Sequence, residues 1–114
     1  MNDCVFCKII SGAIPAQKLF EDDDVFAFFD IAPQAPVHFL VVPKKHITSL
    51  MEAEEGDTAL LGTLLQTAQR LAKEQGCGEK GGRFVINCKS DGLQSVDHLH
   101  VHVLGGRKLG WPPG

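Results

Sequence analysis

The chain has no excess of positive charge. Its 11 Lys and Arg stand against 14 Asp and Glu, a formal net charge of −3, which argues against a broad electrostatic hold on a nucleic acid polymer. No apolar run approaches the ~20 residues that a membrane-spanning helix needs, so no membrane partner is expected. The opening Met1-Asn2-Asp3-Cys4 carries neither the basic region nor the apolar stretch of a secretion leader; the expected location is cytoplasmic. Repeats and linker-like stretches are missing as well, so the 114 residues are expected to form one domain with its own core. Four cysteines without a leader favour a reducing compartment, where paired cysteines more often hold a metal than form a bridge.

What is present is one short helix, one long one and a set of strands. Residues 4–10 read as a helix closed by Ser11-Gly12, with Cys4 and Cys7 on one face because they lie three apart. Residues 18–21 and 25–29 read as strands around the acidic turn Asp22-Asp23-Asp24, and residues 38–42, almost wholly apolar, as a covered central strand. Asp57 or Thr58 is positioned to cap a helix running to about Gln75 and stopped by Gly76. Leu60, Leu61, Leu64, Leu65, Ala68, Leu71 and Ala72 recur along it at helical spacing and predict one buried stripe. Residues 83–88 and 95–104 complete the strands, and the tail 105–114 follows. The order predicts an α+β fold on a five-stranded antiparallel sheet.

The last strand carries the chemistry. In Gln94-Ser95-Val96-Asp97-His98-Leu99-His100-Val101-His102-Val103-Leu104, three histidines alternate with apolar residues. On a strand, alternate side chains share a face about 6.7 Å apart, so His98, His100 and His102 would line one face while Leu99, Val101 and Val103 enter the core. Imidazole is the side chain that serves as nucleophile and proton carrier near neutral pH. The same row is also open to reading as a metal-binding face or as the polar face of an edge strand.

His98-Leu99-His100-Val101-His102-Val103-Leu104 resembles the histidine triad (HIT) family motif at all seven positions. The segments Phe6-Cys7-Lys8-Ile9-Ile10, Phe28-Phe29-Asp30-Ile31, Pro33-Gln34-Ala35-Pro36, residues 38–46 and the ending Trp111-Pro112-Pro113-Gly114 are similar to its Hint branch. The resemblance implies hydrolysis of purine nucleoside 5′-phosphoramidates, with AMP- or GMP-type ligands. It implies His100 as the nucleophile, His102 as a donor to a phosphate oxygen, Ser95 at the leaving group, and His98 and His38 beside them. Asn87, Gln94 and Ser95 would cradle the phosphate, Asp30 would bind the ribose, and Phe6, Ile9, Ile14, Phe28 and Ile31 would enclose the base. Taken alone, those apolar residues read as ordinary core, Asp30 as a turn residue and His38 as a buried strand histidine.

The resemblance further implies a structural zinc on Cys4, Cys7, His46 and His98, with no metal required for catalysis. It also implies a homodimer in which Trp111 reaches the partner's pocket. Two rival readings are a dinucleoside polyphosphate hydrolase of the neighbouring branch and a nucleotide- or zinc-binding regulatory module with little turnover. Asp97 stands where that branch has tyrosine, and Phe29 and Leu93 also depart from it, which bears on substrate preference more than on chemistry.

Overall fold

Asp22 sets the first hairpin of the computed structural model, which describes residues 3–114. Its Oδ1 accepts from the N–H groups of Asp24 (2.9 Å) and Val25 (2.8 Å), the local bonding that makes Asp a turn residue. The turn joins β1 (Lys18–Glu21) to β2 (Val25–Phe29); β3 (Val37–Pro43), β4 (Gly82–Val85) and β5 (Val101–Gly105) complete an antiparallel sheet of order β1-β2-β3-β5-β4. β3 lies at its centre, buried from His38 to Pro43, as its apolar run predicts.

Two helices flank the sheet. In α1 (Val5–Ser11), the Cys4 sulfur accepts from Cys7 N–H, and Gly12 ends the helix at φ 86°, a conformation that costs glycine least. α2 (Thr58–Ala72) covers one sheet face: Leu64, Ala68, Leu71 and Ala72 pack with Val25, Ala27, Phe39, Val41, Leu99, Val101 and Val103. α1 covers the other, where Phe6 meets Phe26, Phe28, Leu40 and Val42. The predicted α2 stripe is narrower than its spacing suggests, since Leu65 is 49 % exposed. Past Ala72 the helix widens into a turn over Lys73–Cys77, and Gly76 at φ 90° breaks it where a stop is predicted.

Two boundaries differ from the sequence reading. β4 ends at Val85 rather than at residue 88, and β5 begins at Val101 rather than at 95, so His98 and His100 precede the strand. β3 ends at Pro43, and the Pro43 carbonyl accepts from the His98 ring instead of from a strand partner. The backbone of residues 86–100 closes on itself and on its neighbours, with Leu93 N–H donating to Ser90 O, His98 N–H to Val96 O, and Leu99 N–H to Ile47 O.

Asp57 also acts differently from a simple cap of α2. Its carboxylate accepts from Glu54 N–H (2.9 Å) and from Lys45 Nζ (2.6 Å), and so braces the short turn before the helix. The Glu54 N–H bond, reinforced by Lys45, holds this carboxyl below its usual range. A carboxyl depressed in the folded state contributes stability above its ordinary value near 3.8, and loses it as pH falls through the folded value. Asp57→Asn is therefore expected to lower the melting temperature at pH 7, with the gap to wild type closing below pH ~4. Thermal melts at the two pH values check this; a gap of constant size would refute it.

Candidate active site and metal cluster

Although the ladder starts late, the alternation persists across its boundary. Leu99, Val101 and Val103 lie in the α2-side core, at 1 %, 0 % and 0 % exposure. His98 and His100 face the opposite side, where the Phe6 ring meets them edge-on at 5.9 and 5.0 Å. His100 and His102 follow one another at 5.0 Å between ring centroids. β3 sets His38 opposite Leu104 and Leu40 opposite His102, which brings the His38 ring 5.2 Å from that of His102.

Hydrogen-bond partners decide each ring's tautomer. His100 Nδ1 lies 2.7 Å from the carbonyl of His98; a carbonyl only accepts, so Nδ1 carries the proton and Nε2 keeps its lone pair. At His38, Nδ1 accepts from Gln34 N–H at 3.0 Å, which places that ring's proton on Nε2. This N–H lies 3.0 Å from His102 Nδ1 and 3.3 Å from Asp30 Oδ2. His102 Nδ1 is thereby an acceptor, and its proton sits on Nε2. Burial, partly opposed by the His98 carbonyl and the Asp30 charge, lowers the pKa of His100. Burial and the neighbouring His100 and His38 push His102 down to about 4. Both rings are neutral at pH 7, one presenting a lone pair and the next an N–H. Asp30, His38 and His102 approach as a metal-binding trio would, but a protonated His38 Nε2 is no ligand.

Cys4, Cys7, His46 and His98 converge from α1, the loop after β3 and the segment before β5. His98 Nδ1 lies 3.3 Å from Cys4 Sγ, 3.6 Å from Cys7 Sγ and 3.1 Å from His46 Nδ1; Cys7 Sγ is 3.4 Å from His46 Nδ1. Zn–N near 2.0 Å and Zn–S near 2.3 Å at tetrahedral angles require edges of about 3.3–3.8 Å, so the four atoms outline a zinc tetrahedron. His98 Nε2–H donates to Pro43 O at 2.8 Å, which aims the Nδ1 lone pair inward as an outer-shell partner does. Burial first, then His46 and His100, push the His98 pKa down to about 4 and keep it in the neutral form that binds metal. The set fits zinc.

Other predicted positions vary in their proximity to these rings. Phe28 meets Phe6 at 5.4 Å, and Ile9 packs in the same cluster. Ile14 and Asn87 are half-buried, Ser95 is exposed, and Ile31 and Trp111 stand at 100 % and 82 % exposure. The Gln94 side chain braces its loop: Nε2 donates to Thr48 O and Val96 O, and Oε1 accepts from Lys89 N–H. The Gln34 N–H and the Pro43 carbonyl, which orient His38 and His98, were not foreseeable, being main-chain groups that no residue type announces.

Fold and site together define a class: small α+β proteins that line imidazoles up in and just before the last strand of the sheet, beside a four-ligand cluster. The HIT domain family model matches residues 11–109, and the chain belongs to that family. It is 52 % identical over 114 residues to a 14 kDa zinc-binding protein of Brassica juncea, covering 98 % of this chain and 100 % of that one. Its structure is similar to that of a HIT family hydrolase from Legionella pneumophila, with TM-score 0.96, 49 % identity, and 98 % and 100 % of the two chains covered. A zinc-bound histidine triad family protein from Mycobacterium smegmatis is similar at TM-score 0.78 and 35 % identity, with 96 % and 81 % covered.

Proposed function

We propose that the protein is a zinc-holding hydrolase that cleaves the P–N bond of purine nucleoside 5′-phosphoramidates, such as AMP-amine conjugates. The observation that carries the reading is the 2.7 Å bond from His100 Nδ1–H to the His98 carbonyl, which leaves Nε2 free to attack. In this reading His100 Nε2 bonds to phosphorus as the P–N bond breaks. The departing nitrogen takes a proton that the Ser95 hydroxyl relays from a solvent water and leaves as an amine. Water then resolves the nucleotidyl-histidine, yielding the nucleoside monophosphate and free His100. His102 Nε2–H donates to a non-bridging oxygen where charge builds. Asp30 accepts from the ribose, Asn87 and the Gln94–Ser95 backbone hold the phosphate, and Phe6 and Phe28 begin the base slot with Ile9, Ile14 and Ile31.

Zinc, when bound by Cys4, Cys7, His46 and His98, supplies a closed structural crosslink. The similarity to a HIT family hydrolase, to a zinc-binding Brassica protein and to a zinc-bound Mycobacterium protein supports the reading. The proposed assembly is a cytoplasmic homodimer joined along the open β4 edge, where Phe84 is 45 % exposed, with Trp111 beside the partner's pocket.

The test is steady-state turnover of an AMP-amine conjugate against diadenosine tetraphosphate, with and without chelator. Faster turnover of the AMP-amine is expected. Preference for the tetraphosphate would move the assignment to the neighbouring hydrolase class, and no turnover of either would leave a binding module.

A further inference from the structure

Among the described residues, one buried side-chain polar atom has no hydrogen-bond partner: the hydroxyl oxygen of Ser49, a residue 1 % exposed. A buried hydroxyl left unsatisfied is costly, so it points to a group that meets it. Ser49 precedes the short turn Leu50–Glu52, yet its side chain does not cap that turn. It faces instead the sulfur of Cys88, as does the N–H of Met51. A neutral thiol is a weak acceptor and a thiolate a strong one, so the hydroxyl gains a full partner only when Cys88 ionises.

Cys88 is a free, half-buried thiol in the loop after β4. That loop is pinned around it. Lys89 N–H donates to Gln94 Oε1 at 2.8 Å, and Gln94 N–H donates to Lys89 O at 3.0 Å. A Cβ at Gly92 would stand 2.6 Å from Cys88 N, a closeness that only glycine allows. The Ser49 hydroxyl first, then Met51 N–H, outweigh burial and, with the charge of Lys89 and Leu50 N–H, hold the Cys88 thiol below its ordinary 9.0. Lys89 is in turn tied to Glu52 at 2.7 Å. A thiol held down in this way is more thiolate at neutral pH, and the thiolate is the nucleophile. The other cysteines stand elsewhere: Cys4 and Cys7 in the proposed zinc set, and Cys77, 6 % exposed, against Gly105 at the opposite end of β4.

We propose that Cys88 is a modification site for small hydroperoxides, which convert its thiolate to a sulfenic acid. Sγ attacks the terminal oxygen of the hydroperoxide, so an S–O bond forms as the O–O bond breaks. The transferred oxygen keeps its proton, and the departing hydroxide or alkoxide takes one from water. Sulfur is oxidised by two electrons and the peroxide is reduced by the same two. The new oxygen supplies the acceptor that Ser49 Oγ lacks.

The test exposes full-length protein, as purified, to equimolar hydrogen peroxide in the presence of dimedone, which traps sulfenic acids. Peptide mass spectrometry should place the adduct on Cys88, about tenfold or more ahead of Cys4, Cys7 and Cys77. Alkylation of Cys88 by iodoacetamide across pH should have its midpoint below that of the same cysteine in a peptide of residues 84–92. Ser49→Ala removes an unsatisfied hydroxyl, so this variant should melt like wild type. Its alkylation midpoint should rise, and its dimedone labelling at pH 7 should slow about threefold. The loss of thiolate is larger than that, but each remaining thiolate is a better nucleophile. If the variant does not fold, the wild-type midpoint against the peptide decides alone. An adduct confined to another cysteine, no adduct, a wild-type midpoint equal to the peptide's, or a folded Ser49→Ala variant with an unchanged midpoint would overturn the proposal.

Discussion

His100→Ala is expected to lose turnover on the order of 10³-fold or more, the scale on which removing a nucleophile acts. AMP should still bind, because the proposed base slot at Phe6 and Phe28 and the proposed ribose partner Asp30 remain. Quenching wild-type protein with denaturant during turnover should trap a nucleotide on His100, and mass spectrometry of the peptide locates it. The expectation follows from a single constraint: the His98 carbonyl holds Nδ1–H, and Nε2 has no proton to lose before it attacks. Activity within tenfold of wild type in the variant, or an adduct on another residue, would end the covalent mechanism.

Cys4→Ser with Cys7→Ser is expected to remove about one zinc per chain and to destabilise the fold strongly. His46 Nδ1 and His98 Nδ1 stand 3.1 Å apart with two sulfurs close by, a set of four donor atoms that one cation among them would bind together. The cluster ties α1 to segments more than 35 residues away, so its loss frees the N-terminal helix. A loss of about 2 kcal/mol would lower the melting temperature by roughly 10 °C in a domain of this size. Turnover per folded molecule should fall less, since His100 and His102 keep their partners. Metal analysis and melting of the double variant, alongside wild type treated with chelator, read both effects. Purified wild type containing no zinc, or a variant that melts like wild type, would refute the site.

Periodicity made most of the architecture legible. β2 and the core of β3 are uninterrupted apolar runs, and the acidic turn between β1 and β2 uses a bond that Asp22 makes locally. The histidine row was legible as alternation, and alternation predicted the right faces even where the strand did not form. Strand ends were harder to read. Val85 and Val101 mark where partners run out, and that depends on β3 stopping at Pro43, far away in the chain. Leu65 shows that helical spacing overstates a buried stripe, because the width of the sheet decides which flank is covered. The zinc tetrahedron needed four residues that helix geometry pairs only at Cys4 and Cys7, so His46 and His98 came from the family register. Gln34 was not legible at all: its role belongs to a main-chain N–H, the same in every residue but proline.

The strand order has a consequence for biosynthesis. β5 is the last strand in the chain yet sits between β3 and β4. While it is still inside the ribosome, β3 has one neighbour and β4 has none, so the emerged portion carries an open seam through the middle of its sheet. His38 and Asp30 are then exposed early, waiting for rings that arrive some 60 residues later, and no fragment released before residue 105 can assemble the row. Premature termination thus yields inert chains rather than half-competent ones. The seam also presents unpaired strand edges, which invite association between nascent chains.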